Sequence, residues 1–166
     1  DLRASGITKV VMVTGDSRTV ALAVARELGI HDADVYAELL PADKVRVIED
    51  LKKTNQVAFV GDGVNDAAAL VTSNVGIAMG AAGTDVALEA ADVALLSDDL
   101  HMIVKARLLS QKTNTIIKQN LSFAIGILIL MVITTVFFYL PLPLGVLGHE
   151  GGTLLVVLNG LRLLLL

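Results

Sequence analysis

The run Leu121 to Leu140 holds 20 residues without a charge, and no other feature constrains the fold as tightly. At about 1.5 Å rise per residue, a helix of that length spans the ~30 Å hydrocarbon core of a bilayer, so a transmembrane helix is predicted over 121–140. Pro141-Leu142-Pro143 breaks it, and the apolar stretch 144–166 is expected to return across the membrane as a second helix. Residues 121–166 carry only Glu150 and Arg162 as charges, whereas residues 1–98 carry 15 acidic and 8 basic side chains. The chain therefore reads as a water-soluble head over 1–98, a connecting cytoplasmic helix over 99–120 and two spans. Lys105, Arg107, Lys112 and Lys118 precede the first span, Arg162 follows the second, and the loop between the spans has no basic residue. That asymmetry places residues 1–120 on the cytoplasmic side and makes the lipid bilayer a partner.

A hydrophobic fraction of 54% and a mean hydropathy of +0.71 agree with a chain partly in lipid. The acidic head argues against a nucleic-acid partner, which would need a basic surface. With no cysteine, the chain has neither disulfides nor thiolate metal sites of its own. No signal peptide is visible, and the N-terminal residues are expected to be internal to something longer.

Within the head, short apolar runs alternate with helical periodicities. Strands are expected at Val10–Val13, near Val35, at 57–60, at Gly76–Met79 and at Val93–Leu96. Helices are expected over 17–28, with Val20, Val24 and Leu28 on one face, over 42–53, with Val45, Ile48 and Leu51 inward, over 64–70 and over 84–90. This alternation predicts an α/β head with a parallel, doubly wound sheet, a Rossmann-like arrangement.

Ligands of such sheets sit beyond the carboxyl ends of the strands. Thr14-Gly15-Asp16 ends the first strand, and Gly61-Asp62-Gly63-Val64-Asn65-Asp66 ends the strand at 57–60. Two acidic loops at adjacent strand ends suggest a magnesium site, because magnesium takes a few carboxylate oxygens together with water and a substrate phosphate. Lys44, near the start of its helix, could supply a fixed cation to the same phosphate. Either acidic loop alone would be an ordinary turn; their order and placement make them specific.

The segments MVTGDS, LPADK and VGDGVNDAAAL closely resemble three successive motifs of the phosphorylation domain of P-type ATPases, members of the haloacid dehalogenase-like superfamily. The resemblance continues through VGIAMGAAGTDVALEAADVALLSDDL and so covers residues 1 to 99. It implies that Asp62 binds magnesium directly and that Asn65 and Asp66 organise the magnesium and phosphate site. It also implies that Thr14 contacts the phosphoryl group, that Gly15 and Asp16 shape the adjoining loop, and that Lys44 neutralises charge. Positioning and charge neutralisation are what phosphoryl transfer asks of such groups. The family's phosphorylated aspartate lies in an Asp-Lys-Thr-Gly-Thr segment, which does not occur here. The actuator domain, the nucleotide-binding domain that would hold most of the ATP, and the earlier membrane helices are missing too. The chain is therefore read as a C-terminal fragment, inactive alone.

The second span opens with Gly148-His149-Glu150-Gly151-Gly152-Thr153. An imidazole and a carboxylate at membrane depth are functional candidates, and on a helix Thr153 lies on the same side as His149 and Glu150. Spacing alone supports equally a pair of solvated residues at the outer interface. HEGGT followed by LVVLNGLRLL resembles the last membrane helix of the cobalt/zinc-type subgroup of heavy-metal ATPases. The resemblance implies that His149, Glu150 and Thr153 hold the transported metal, working with a cysteine-containing motif of an earlier helix. Nitrogen and oxygen ligands suit divalent cobalt, zinc, nickel or iron better than monovalent copper, and cadmium fits if that cysteine contributes. His31 and His101 read as surface residues, Asn159 as part of an interhelical polar patch or of the site, and Arg162 as snorkelling to the interface.

The leading expectation is thus the C-terminal part of an ATP-driven heavy-metal efflux pump of a bacterial cytoplasmic membrane. Its alternatives are a membrane-anchored phosphatase of the same superfamily, which would need an upstream Asp-x-Asp, and a non-catalytic regulatory membrane protein, which would lack the acceptor altogether.

Overall fold

The structure, a computed structural model, describes residues 2–61, 64–80 and 89–165. Asp62 and most of the helix expected over 84–90 lie outside the described residues. The chain divides into two compact units, 1–103 and 104–166.

In the first unit β1 (Met12–Val13) runs parallel to β2 (Val35–Tyr36), with Met12 opposite Val35. A second parallel sheet has the order β3 (Ala58–Gly61), β4 (Val75–Met79), β5 (Val93–Leu95). Every strand is parallel to its neighbour, as the alternating pattern requires. Among the described residues the hydrogen-bonded ladders nevertheless form two sheets, and the two acidic loops do not follow adjacent strands of one ladder.

Helices α1 (Arg18–Glu27), α2 (Pro41–Lys52) and α3 (Ala67–Thr72) connect the strands. Pro41 fixes the first turn of α2 without losing a bond, and the Asp43 carboxylate accepts the Leu40 N–H at 3.2 Å, satisfying a donor that the helix cannot. Ile48 on α2, Phe59 on β3 and Ala69 and Leu70 on α3 form one core cluster, with Val13 of β1 packed against it. Ala21, Ala25, Ile30 and Val35 form a second.

Helix α1 forms where the sequence reading expects it, but its apolar stripe is not its innermost face. Ala21 and Ala25 face the core at 2% and 0% exposure, whereas Val20, Val24 and Leu28 are 53%, 42% and 59% exposed. The apolar spacing marked a real stripe, but the residues packed innermost are alanines, whose size allows closer approach than valine. On α2 the expectation is met, with Ile48 buried and Val45 and Leu51 partly so.

The connecting helix and the first span are one continuous α4 (His101–Phe137) of 37 residues, ~55 Å long, all but its first three residues in the second unit. Pro141 precedes α5 (Leu142–Leu161), and a 3-10 turn (Arg162–Leu165) ends the described chain. Two stretches, His101–Phe137 and Leu142–Leu164, are long and apolar enough to cross a membrane. Inside α4 the Thr134 and Thr135 hydroxyls donate to the carbonyls of Leu130 and Met131 at 2.8 and 2.7 Å. Each hydroxyl is thereby satisfied within its own helix, as an apolar surrounding demands.

Candidate phosphoryl site and membrane metal site

The head site is assembled from three strand ends and one helix start. Thr14 continues the β1 ladder, its N–H donating to Tyr36 O at 2.9 Å and its carbonyl accepting from Leu39 N–H at 3.1 Å. Its hydroxyl donates to Asp16 Oδ2 at 2.9 Å and accepts the Asp16 N–H at 3.1 Å. Thr14 and Asp16 thus hold each other in a closed turn, as their short polar side chains favour. A Cβ at Gly15 would lie 3.3 Å from Leu39 O, so a larger residue would press this loop off the segment after β2.

That segment contributes a residue the sequence reading missed. Glu38 sits in the left-handed region at φ 61°, donating its N–H to Asp16 O at 2.8 Å. Its Oε1 accepts the Arg18 N–H at 3.3 Å at the start of α1, where a carboxylate is favoured by the helix dipole. The conformation costs about 1–2 kcal/mol. Glutamate gives no sequence signal for a positive φ; only its place after a short strand hinted at a tight turn.

Three residues after Glu38 the chain enters α2, whose first turn carries Lys44. Its ammonium lies 2.7 Å from Asp66 Oδ1, with the side chains only 15% and 11% exposed. Asp66 belongs to the 3-10 turn Val64–Asp66 that follows the β3 strand end. Its Oδ2 lies against Gly61: a Cβ there would come within 2.9 Å of Asp66 Cβ and 3.0 Å of Oδ2. The close approach requires glycine at 61, a second residue that motif reading left without a role.

A continuous bonded route therefore runs from Thr14 and Asp16, through Glu38 and Leu39, into α2 and across Lys44 to Asp66. The structure brings Lys44 and Asp66 together, and Thr14, Gly15 and Asp16 together. It leaves the Asn65 side chain exposed, and Asp62 lies outside the described residues. The donors on the route are hard oxygens, with Asp66 Oδ2 still unclaimed by the lysine, and hard oxygens suit magnesium.

In the membrane unit His149, Glu150 and Thr153 are exposed, and the Thr153 hydroxyl donates to His149 O at 3.1 Å. Among the described residues no group of three or more His, Cys, Asp or Glu side chains gathers. Glycine brings α5 close to α4: a Cβ at Gly152 would meet Ile127 Cδ1 at 2.9 Å, and one at Gly148 would lie 3.8 Å from Met131 Sδ. Asn159 bonds across to α4, and Arg162 bonds to Asn159. His31 and His101 are exposed, as expected.

Known proteins resemble this chain along nearly its whole length. A haloacid dehalogenase-like hydrolase family matches residues 1–74. The zinc-transporting ATPase of Bacillus subtilis is 49% identical over 165 residues, 99% of this chain and 25% of that protein. A probable cadmium-transporting ATPase of Alkalihalophilus pseudofirmus is 49% identical over 98% of this chain and 22% of its own length. Further relatives are named as probable cobalt/nickel-exporting P-type ATPases. A crystal structure of a zinc-transporting PIB-type ATPase superposes with a TM-score of 0.87 at 42% identity, over 98% of this chain and 26% of the other. The chain thus spans about a quarter of the length of the curated relatives it matches.

Proposed function

Because the chain belongs to the heavy-metal-transporting P-type ATPases, we propose that it is the C-terminal part of an ATP-driven pump exporting a divalent heavy metal across a bacterial cytoplasmic membrane. The observation that carries this reading is the Lys44–Asp66 pair, a nearly buried cation and carboxylate fixed at the end of β3. In this role Lys44 balances negative charge on the phosphoryl group and Asp66 is oriented by Lys44 and Gly61. Thr14 offers its hydroxyl from the neighbouring loop, whose shape Gly15, Asp16 and Glu38 maintain. Asn65 and Asp62 complete the polar loop. Asp62 would hold magnesium, with Asn65 and Asp66 organising its site, and magnesium when bound would neutralise charge developing on the transferred group.

The phosphate acceptor comes from the rest of the pump. Val13 of β1 packs against the cluster that contains Phe59 of β3, yet the two strands belong to different ladders. An added parallel strand between them would satisfy both backbone edges and carry an aspartate at its carboxyl end to a point between Thr14 and Asp66. ATP is held mainly by a domain outside this chain.

For the transported ion, His149, Glu150 and Thr153 supply nitrogen and oxygen ligands, the set that favours zinc, cobalt or nickel, with cadmium admitted by a cysteine from another helix. The test is metal-dependent formation of an acyl-phosphate in the complete pump. Zinc or cobalt should stimulate it, Asp62→Ala should abolish it, and Glu150→Gln should remove its metal dependence. Normal turnover of Asp62→Ala would overturn the magnesium assignment.

A further inference from the structure

One polar cluster in the membrane unit belongs to neither site. Asn159 Nδ2 donates to Asn120 Oδ1 at 2.9 Å and to Gln119 Oε1 at 3.3 Å on α4, while its own Oδ1 accepts from Arg162 Nη1 at 2.9 Å. A carboxamide left unpaired in an apolar setting is costly, and here both of its ends are used. Two of the bonds cross between helices and the third returns to the end of α5, so the amide satisfies all three in one orientation of α5 only.

Two turns earlier, Gly152 meets Ile127, and one turn before that Gly148 meets Met131. At about 100° per residue, Gly148, Gly152 and Asn159 fall within roughly 40° of one another on the helix surface. On the same wheel, Glu150 lies about 180° from the centre of that seam, Thr153 about 120° and His149 about 80°. The glycines let the helices approach but present a smooth surface, along which α5 could slide or roll. The directional amide bonds resist both movements.

We infer that Asn159 is a positioning residue for metal binding. Its clasp on Asn120 and Gln119, with the glycine seam, sets the rotation and depth at which α5 turns Glu150 and Thr153 away from α4. This rests on the assignment of His149, Glu150 and Thr153 to the transported metal.

The experiment uses the complete pump and reads two quantities, the half-saturating zinc concentration and the maximal rate of zinc-stimulated ATP hydrolysis. Asn159→Leu is expected to raise the first about tenfold, within the range of interhelical hydrogen bonds in membranes, and to leave the second within about twofold. Asn120→Leu, which leaves the Gln119 and Arg162 bonds in place, should raise the first less, and the double variant should be no worse than Asn159→Leu alone, because the bond to Asn120 is already lost there. Unchanged half-saturation in both single variants, or additive effects of the two substitutions, would overturn the inference. Glu150→Gln, measured alongside, separates the two readings. If it leaves zinc dependence intact, the site assignment itself fails; if it removes zinc dependence while the Asn159 variants behave normally, only the clasp fails.

Discussion

Replacing Lys44 by methionine keeps most of the volume and the apolar stem of the side chain but removes the charge that faces Asp66. With the two side chains 15% and 11% exposed, solvent can screen the abandoned carboxylate only in part. Breaking such a pair from one side costs about 3–5 kcal/mol when burial is complete, and the residual exposure points to the lower end, about 3 kcal/mol. The loss is local to the junction of α2 with the turn Val64–Asp66, so it should appear as roughly 100-fold weaker hydrogen-exchange protection of the amides in α2 and α3 of the complete pump. Adding Asp66→Asn removes the stranded charge and should restore most of that protection. The same double variant should not recover acyl-phosphate formation, because the phosphoryl group still lacks its cation. The reasoning fails if Lys44→Met alone leaves protection unchanged, or if the two substitutions add instead of compensating.

Two other perturbations follow from contacts in the structure. Gly61→Ala places a methyl group 2.9 Å from Asp66 Cβ and should shift that carboxylate, destabilising the head by about 1–3 kcal/mol and lowering acyl-phosphate formation at least tenfold, measured by melting and phosphorylation of the same preparation. The Asp32 carboxylate, hydrogen-bonded at the surface by the Arg26 guanidinium at 2.7 Å, is held below the usual carboxylate range. Its small contribution to stability should be complete above the ordinary aspartate pKa and be lost as pH falls through the depressed one; an NMR titration in which Arg26→Gln does not raise the Asp32 midpoint would contradict this.

Legibility in the sequence followed the range of the physical signal. Twenty uncharged residues announce a membrane helix because hydration of charge is a strong, local and additive effect, and α4 duly crosses 121–137 without a break. Alternating apolar runs likewise announced the parallel strands. The innermost residues of α1 were not legible because hydrophobicity ranks valine above alanine, whereas packing distance selects the smaller residue at Ala21 and Ala25. The division into two ladders was invisible for a related reason: an apolar run specifies a buried strand but not its neighbour. At the head site, residue types were readable while partners were not. Nothing local ties Lys44 to Asp66, 22 positions away, or predicts that a glutamate at 38 would take a left-handed backbone to brace Asp16.

In the proposed pump, the membrane unit would supply only part of what the transported metal needs. Its threonines are largely engaged within their own helices: Thr134 and Thr135 bond back one turn, as does Thr153 to His149 O. Asn159 is engaged with α4. Beyond Asp99 the sequence contains a single acidic side chain, Glu150, and it has no cysteine. A divalent cation facing Glu150 would therefore keep a net positive charge in a medium of low dielectric constant, an expensive state unless a second anionic ligand approaches. Glu150 lies on the side of α5 turned from the glycine seam, so that ligand has to come from a helix other than α4. In the proposed pump, a thiolate from an earlier membrane helix would supply the missing charge, and its softness would let one oxygen and nitrogen set serve the metals for which the relatives are named, zinc, cadmium and cobalt or nickel.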